Sequence, residues 1–104
     1  MIALTAADSG TRSAVRVGDI VEVTLDEKPS TAYLWRYDVD PAMLRFVDEN
    51  APPAGPPTGA SRLHIFRFEA LQSGATTLTL RKTREWEPDR VAEEFVAQLD
   101  ITDG

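Results

Sequence analysis

The chain has 104 residues and a mass of 11.5 kDa, a size at which one hydrophobic core and one domain, residues 1–104, are expected. Eleven basic residues against seventeen acidic ones give a net charge of −6, which disfavours binding to nucleic acid or to an anionic membrane surface. The chain has no cysteine, which excludes disulfides, thiolate nucleophiles and cysteine-bound zinc. We therefore expect the core alone to carry the stability of the domain.

The N-terminal residues, Met1–Asp8, lack the basic and long apolar segments of a secretory signal peptide. No later apolar run approaches the roughly 20 residues that a membrane helix needs. On this evidence the protein is expected to be cytoplasmic. If a leader peptide preceded it, a secreted or periplasmic location is expected instead.

Alternation of apolar and polar residues is the main periodic signal, and it predicts strands. The first clear strand covers residues 19–25, in which Val21, Val23 and Leu25 share one face. The second covers residues 33–39, and its half-buried face is predicted to carry Tyr33, Trp35, Tyr37 and Val39. Trp35 is expected in the core, since it lies mid-strand on that face.

The second half of the chain continues the pattern. Residues 44–47 predict a short strand, whereas residues 51–59 contain four of the seven prolines and cannot join a sheet, because proline has no amide donor. Alternation returns at residues 64–70 and 77–81, with a spacing typical of an antiparallel meander. Six or seven short strands of this kind predict a β-sandwich.

The segment 90–100 fits two structures. Val91, Phe95 and Leu99 lie at helical spacing, but residues 95–101 also alternate with a period of two. A lone helix here would displace the strand that closes the second sheet. We therefore favour a strand and keep a helix as the alternative.

Residues suited to catalysis or metal binding are few. His64 is the one histidine, and its place in an alternating strand indicates an edge or core-lining ring more than a catalytic base. The acidic residues at 48–49, 85–87 and 93–94 are interpreted as solvated charges, since the spacing of a calcium loop is absent. We expect no catalytic residue, no metal and no cofactor.

Three segments between strands contain residues that strand and turn propensity do not explain: residues 28–32, 56–62 and 84–88. Binding residues are often found on loops that a rigid scaffold holds. Trp86 stands out because charged residues and a proline surround it, with no alternating neighbours to bury it. It either folds back over the sandwich edge or anchors an interface.

In this order, the segments resemble the motifs of the chagasin family of cysteine-peptidase inhibitors. A strand at 17–25 followed by Lys28-Pro29-Ser30-Thr31-Ala32-Tyr33-Leu34-Trp35 resembles that family's Asn-Pro-Thr-Thr-Gly-Tyr/Phe-x-Trp signature. Gly59-Ala60-Ser61-Arg62 occupies the place of its Gly-x-Gly-Gly loop, and Arg84-Glu85-Trp86 stands where the family has Arg-Pro-Trp. The resemblance extends from residue 15 to residue 101.

The resemblance implies an all-β, immunoglobulin-like antiparallel β-sandwich of about seven short strands. It also implies reversible, non-covalent inhibition of papain-like cysteine peptidases by three loops that occlude the active-site cleft, with the segment 29–31 nearest the catalytic cysteine. We expect a monomer without cofactor. The implied peptidase-binding residues are Lys28, Pro29, Ser30, Thr31, Ala32, Tyr33, Gly59, Ala60, Ser61, Arg62, Arg84, Glu85 and Trp86.

Four residues depart from the family motifs: Lys28 replaces Asn, Ala32 and Arg62 replace Gly, and Glu85 replaces Pro. If position 32 is left-handed, alanine there costs about 1–2 kcal/mol. Arg62 would place a long cation where close backbone approach is expected, and Glu85 would add negative charge beside Trp86. These departures leave an alternative open, namely a binding module of the same fold with a different protein partner.

Overall fold

Two four-stranded sheets pack face to face in the computed structural model, which describes residues 1–51 and 60–103. Within these residues the strands are β1 (Ile2–Thr5), β2 (Arg12–Arg16), β3 (Ile20–Glu27), β4 (Leu34–Asp38), β5 (Leu44–Asn50), β6 (Arg62–Ala70), β7 (Gly74–Thr83) and β8 (Glu93–Thr102). One sheet has the order β1-β3-β6-β5 and the other β2-β8-β7-β4. The predicted β-sandwich is confirmed, with eight strands in place of about seven.

The core lies between the sheets because the strands send alternate side chains inward. In β3 the predicted inward face is confirmed, and these three side chains are buried: Val21, Val23 and Leu25. They pack in one core with buried residues of the neighbouring strand β6 and of the opposite sheet, including Phe66, Phe68, Leu78, Leu80, Phe95 and Leu99. Burial of each large apolar side chain contributes about 1.5–3 kcal/mol, so this layer is the main source of stability.

The segment 90–100 contributes to a strand, β8, as favoured, and the helical alternative is wrong. β8 lies between β7, with which it pairs antiparallel, and β2, with which it pairs parallel. Its inward side chains are Phe95, Ala97, Leu99 and Ile101, all of them buried. A helix would have left the second sheet without this central strand.

The predicted meander of β6 and β7 is wrong. The two strands follow each other after three residues, Leu71–Ser73, yet they belong to different sheets. Both edges of β6 are already paired, with β3 and β5, so β7 pairs with β4 and β8 instead. The sheets are also mixed, because β1 pairs parallel with β3 and β2 pairs parallel with β8.

β4 is shorter than the predicted strand 33–39. Trp35 is buried as predicted, and its indole N–H donates to the Asp26 carbonyl at 2.7 Å. Tyr37 is exposed, since β4 is the edge strand of its sheet. β5 is longer than the predicted strand 44–47 and reaches Asn50 past a bulge.

One end of the sandwich, which we call the loop pole, collects the ends of six strands. Loop 1 (residues 28–33) joins β3 to β4, loop 2 (residues 51–61) joins β5 to β6, and loop 3 (residues 84–92) joins β7 to β8. The topology therefore brings the stems of the three loops to one end of the sandwich. The helical segments in residues 1–51 and 60–103 are too short to span a bilayer.

Candidate functional site

Loop 1 is held in shape by its own hydrogen bonds. Pro29–Thr31 form a 3₁₀ turn in which the amides of Thr31 and Ala32 donate to the carbonyls of Lys28 and Pro29 at 3.0 and 2.9 Å. The Thr31 hydroxyl donates to the Lys28 carbonyl at 2.8 Å and accepts from the Tyr33 amide at 3.2 Å. The loop is thus ordered before it meets a partner.

Ala32 adopts a left-handed backbone conformation. Its φ of 62° and ψ of 4° close the turn, and it is the one non-glycine residue with positive φ in the described part of the chain. A Cβ in this region clashes with the following carbonyl. Position 32 is therefore left-handed, as the expected cost of alanine there requires, and loop 1 stores local strain.

Replacement of Ala32 by glycine is expected to raise the free energy of unfolding by about 1 kcal/mol, because glycine adopts this conformation without the Cβ clash. Urea unfolding measures the change. The matched control is Ala14→Gly in the extended strand β2, which is expected to lower stability by about 0.5–1 kcal/mol. A loss of stability at both positions would contradict strain at Ala32.

Arg84 connects loop 3 to loop 1. Its Nε donates to the Thr31 carbonyl at 2.9 Å, and its guanidinium carbon lies 4.1 Å from the centroid of the Tyr33 ring. The same carbon lies 5.8 Å from the centroid of the Trp86 ring. Cation–π contacts of this kind are worth about 0.5–1 kcal/mol at exposed sites. The two loops therefore meet through one side chain.

Trp86 projects into solvent, with 67% of its surface exposed. This excludes the alternative in which it folds back and is buried over the sandwich edge. Glu85 is exposed beside it. A bare indole of this size is a suitable interface anchor, and that role stays a prediction.

The predicted site residues differ in exposure and in the element to which they belong. Gly59 lies outside the described residues. The exposed ones are Lys28, Ser30, Ser61, Glu85 and Trp86, and the partly buried ones are Pro29, Thr31, Ala32, Tyr33, Ala60, Arg62 and Arg84. Loops 1 and 3 therefore present an exposed tip on a partly buried base.

Arg62 belongs to β6 and not to loop 2, and its side chain points into the sandwich. Its Nε and Nη2 donate to Glu27 Oε2 at 2.8 and 2.7 Å, and the side chain is only 21% exposed. Glu27 is its register partner at the end of β3. The expectation of a cation projecting from loop 2 is corrected, because the buried carboxylate draws the guanidinium inward.

Glu27 is 1% exposed and is the centre of a polar cluster beneath the loop pole. Besides Arg62, its carboxylate accepts from the Trp35 amide at 3.1 Å and lies 3.0 Å from Nδ1 of His64. Burial raises the pKa of the Glu27 carboxyl, but the hydrogen bonds from His64, the Trp35 amide and Arg62 outweigh it and the pKa is lowered. Together with Glu49, which contacts His64, these groups form the Glu27 cluster.

His64 lines the core as predicted, with 8% of its surface exposed and its ring stacked on Phe66 at 4.1 Å between centroids. Both ring nitrogens face carboxylates, Glu27 on one side and Glu49 on the other. No nitrogen is left to activate a serine. Within residues 1–51 and 60–103, no three acidic or histidine side chains are placed to hold a metal ion.

The sequence reasoning missed Glu27 altogether. Its position continues the inward alternation of β3 beyond Leu25, which would have placed an acid on the buried face. Such an acid needs a cation or several donors, and Arg62 and His64 on β6 supply them. The period-two pattern was therefore a usable signal.

Known sequences resemble the chain over most of its length. The family described as "Chagasin family peptidase inhibitor I42" matches residues 14–101, a range that includes loops 1 and 3. Chagasin from Trypanosoma cruzi is 28% identical over 103 residues, which cover 92% of this chain and 94% of that protein.

Known structures share the fold. The crystal structure of the cysteine protease inhibitor EhICP2 from Entamoeba histolytica superposes with a TM-score of 0.87 at 19% identity, covering 97% of this chain and 95% of that one. PbICP-C, in its structure with falcipain-2, superposes with a TM-score of 0.64 at 11% identity, covering 98% and 100%. At these identities the likeness concerns the fold, and the family rests on the match along the sequence.

Proposed function

The chain belongs to the chagasin family of peptidase inhibitors, and from this premise we propose that it inhibits papain-like cysteine peptidases by filling the active-site cleft with loops 1, 2 and 3. The inhibition is reversible and non-covalent. The protein acts as a monomer and not as an enzyme, without cofactor and without nucleic acid or membrane as a partner. The net charge of −6 is in keeping with the last two points.

The observation that carries this proposal is the hydrogen bond from Arg84 to the Thr31 carbonyl, 2.9 Å long. It joins loop 3 to loop 1 in the free protein and leaves the Trp86 indole exposed beside them. A partner that binds one loop therefore meets the other in a set position. The two loops form one continuous surface instead of two independent contacts.

The preformed turn of loop 1 explains how the small surface of these loops binds a peptidase tightly. Loop 1 uses its own amides, carbonyls and the Thr31 hydroxyl to hold its turn, and Pro29 restricts the backbone further. Fewer rotations are lost on association, so more of the contact energy appears as affinity. The exposed hydroxyl at the tip of the loop belongs to Ser30.

The hydrogen-bonded turn of loop 1 also explains why we expect the peptidase not to cleave the inhibitor. The peptide bonds at 29–31 lie in a 3₁₀ turn whose hydrogen bonds would have to break before the backbone could extend. No disulfide, metal or nucleophile of the inhibitor takes part. The complex is expected to dissociate to intact protein.

Titration of papain with the purified protein tests the function. We expect sub-micromolar inhibition, recovery of full activity on dilution, and an inhibitor of unchanged mass afterwards. Trypsin, which uses a serine nucleophile and a different cleft, serves as the control and should not be inhibited. Absence of papain inhibition at high micromolar concentration would contradict the proposal and favour a different protein partner.

A further inference from the structure

His64 links two carboxylates, and the geometry requires a donor on each side of its ring. Nδ1 lies 3.0 Å from Glu27 Oε1, and Nε2 lies 3.0 Å from Glu49 Oε2. A neutral imidazole carries one N–H and presents a lone pair from its other nitrogen, whereas an imidazolium donates from both. With both carboxylates ionised, the observed arrangement is therefore satisfied in full only when the ring carries two protons.

The charges around the ring balance when it carries that second proton. Among the described residues, the charged groups near His64 are Glu27 from β3, Glu49 from β5 and Arg62 from β6. Across a cavity of about 330 Å³, Arg36 of β4 lines the same space as Glu49. Two carboxylates and the guanidinium paired with Glu27 sum to −1, and a proton on His64 makes the group neutral. The two contacts of 3.0 Å then become ion pairs on both sides of the ring.

The residues that His64 contacts lie in the stems of loops 1 and 2. Glu49 lies next to the last residue of β5, where loop 2 begins, and His64 lies near the start of β6, where loop 2 ends. Glu27 is the last residue before loop 1, and the Trp35 amide that it accepts from lies just beyond that loop. The path from Glu49 through His64 and Glu27 to Trp35 thus connects the two sheets beneath the loop pole.

Resting on the proposed function, we propose that His64 is a positioning residue whose protonation fixes the stems of loops 1 and 2 and so tightens inhibition as the pH falls. With a neutral ring, one of the two carboxylate contacts lacks a donor, and Glu49 is free to turn into solvent because it is already 52% exposed. With a protonated ring, both contacts hold. The stems then lose less freedom on binding.

Inhibition constants for papain, measured between about pH 5 and pH 8, test the proposal, since histidine changes charge in this range. The quantity compared is the ratio between Glu49→Gln and wild-type protein at each pH, because the pH dependence of papain itself cancels. We expect Glu49→Gln to bind about fivefold more weakly near pH 5 and equally well near pH 8, an effect at the lower end of coupling between sites. A ratio that stays constant across the range would overturn the proposal.

Two further variants separate titration from simple structural damage. Glu94→Gln makes the same substitution at an exposed residue of β8, where the carboxylate pairs with Arg81, and its ratio should not change with pH. His64→Gln keeps a hydrogen-bonding side chain without a titrating ring, and it should remove the same pH-dependent gain. If His64→Gln does not fold, Glu49→Gln alone still decides, since its side chain lies half in solvent.

A measurement on the free protein keeps this inference distinct from the proposed function. Nitrogen NMR of the imidazole reports whether both ring nitrogens carry protons near pH 5. Two protonated nitrogens at that pH, with Glu49→Gln losing the second proton at a lower pH than the wild type, would support the role of His64 even if papain were not inhibited at any pH. A ring that gains its second proton at the same pH in both proteins would overturn it.

Discussion

Replacement of Glu27 by glutamine is expected to lower the free energy of unfolding by about 3 kcal/mol, the lower range for breaking a buried ion pair. The side chain keeps its shape but loses the charge that holds Arg62, and its new amide group faces other donors. Partial access of Arg62 to water keeps the cost from being larger. Urea unfolding near pH 7 measures it.

The matched control for Glu27→Gln is Glu69→Gln. Glu69 forms an ion pair with Arg45 at 2.7 Å, but both side chains are partly or mostly in solvent. Exposed pairs are worth little, so we expect a loss of about 0.5 kcal/mol or less. Equal losses at the two positions would contradict the structural importance of the Glu27 cluster.

The loss at Glu27 also depends on pH in a defined direction. Its pKa is lowered in the folded chain, so between the folded and unfolded pKa values the unfolded state binds more protons. The contribution of the ionised carboxylate is therefore complete above the ordinary carboxyl range, near pH 5, and it decreases as the pH falls below about 4. Below about pH 4, the difference between wild-type and Glu27→Gln stability should shrink as the pH falls, and a difference that grows in this range would reverse the assigned sign.

Replacement of Trp86 by alanine is expected to weaken papain inhibition about 30-fold or more, which corresponds to a loss of about 2 kcal/mol. The indole is the largest exposed apolar side chain near loops 1 and 3, and Arg84 lies between it and Tyr33. Since the ring is mostly in solvent, the free energy of unfolding should hardly change. Inhibition constants and urea unfolding on the same preparation measure the two quantities.

Leu71→Ala provides the control for Trp86→Ala. Leu71 is also an exposed apolar residue, but it follows β6 at the end of the sandwich opposite the loop pole. Its truncation should leave the inhibition constant unchanged. Equal weakening by both variants, or none by Trp86→Ala, would contradict the role of Trp86 as an anchor.

The alternation of Val21, Val23 and Leu25 was sufficient to predict a strand and its buried face, because both depend only on the local period of the side chains. Sheet membership was harder. The meander of β6 and β7 was predicted from their closeness in sequence, but the partners of β6 are β3 and β5. Pairing depends on which strand edges are free, and no local pattern records that.

At the candidate site, the order of the motifs was sufficient to locate loops 1 and 3 and to single out position 32. The polar cluster below them was not foreseen, since Glu49 was interpreted as a solvated charge and Glu27 was not considered. Glu27 stays buried only because Arg62 and His64 lie opposite it in the next strand. A buried charge is readable from sequence when its partners are considered together, and a search along one strand at a time does not find it.

The parallel pairing of β1 with β3 and of β2 with β8 has a consequence for the solubility of the protein. These two short strands cover the outer edges of β3 and β8, one on each sheet. Without them, two long apolar strands would present unsatisfied amides along the same flank, an arrangement that invites chains to add to one another edge by edge. The first sixteen residues thus protect these two strand edges from pairing with other chains, and we expect a protein shortened by them to aggregate.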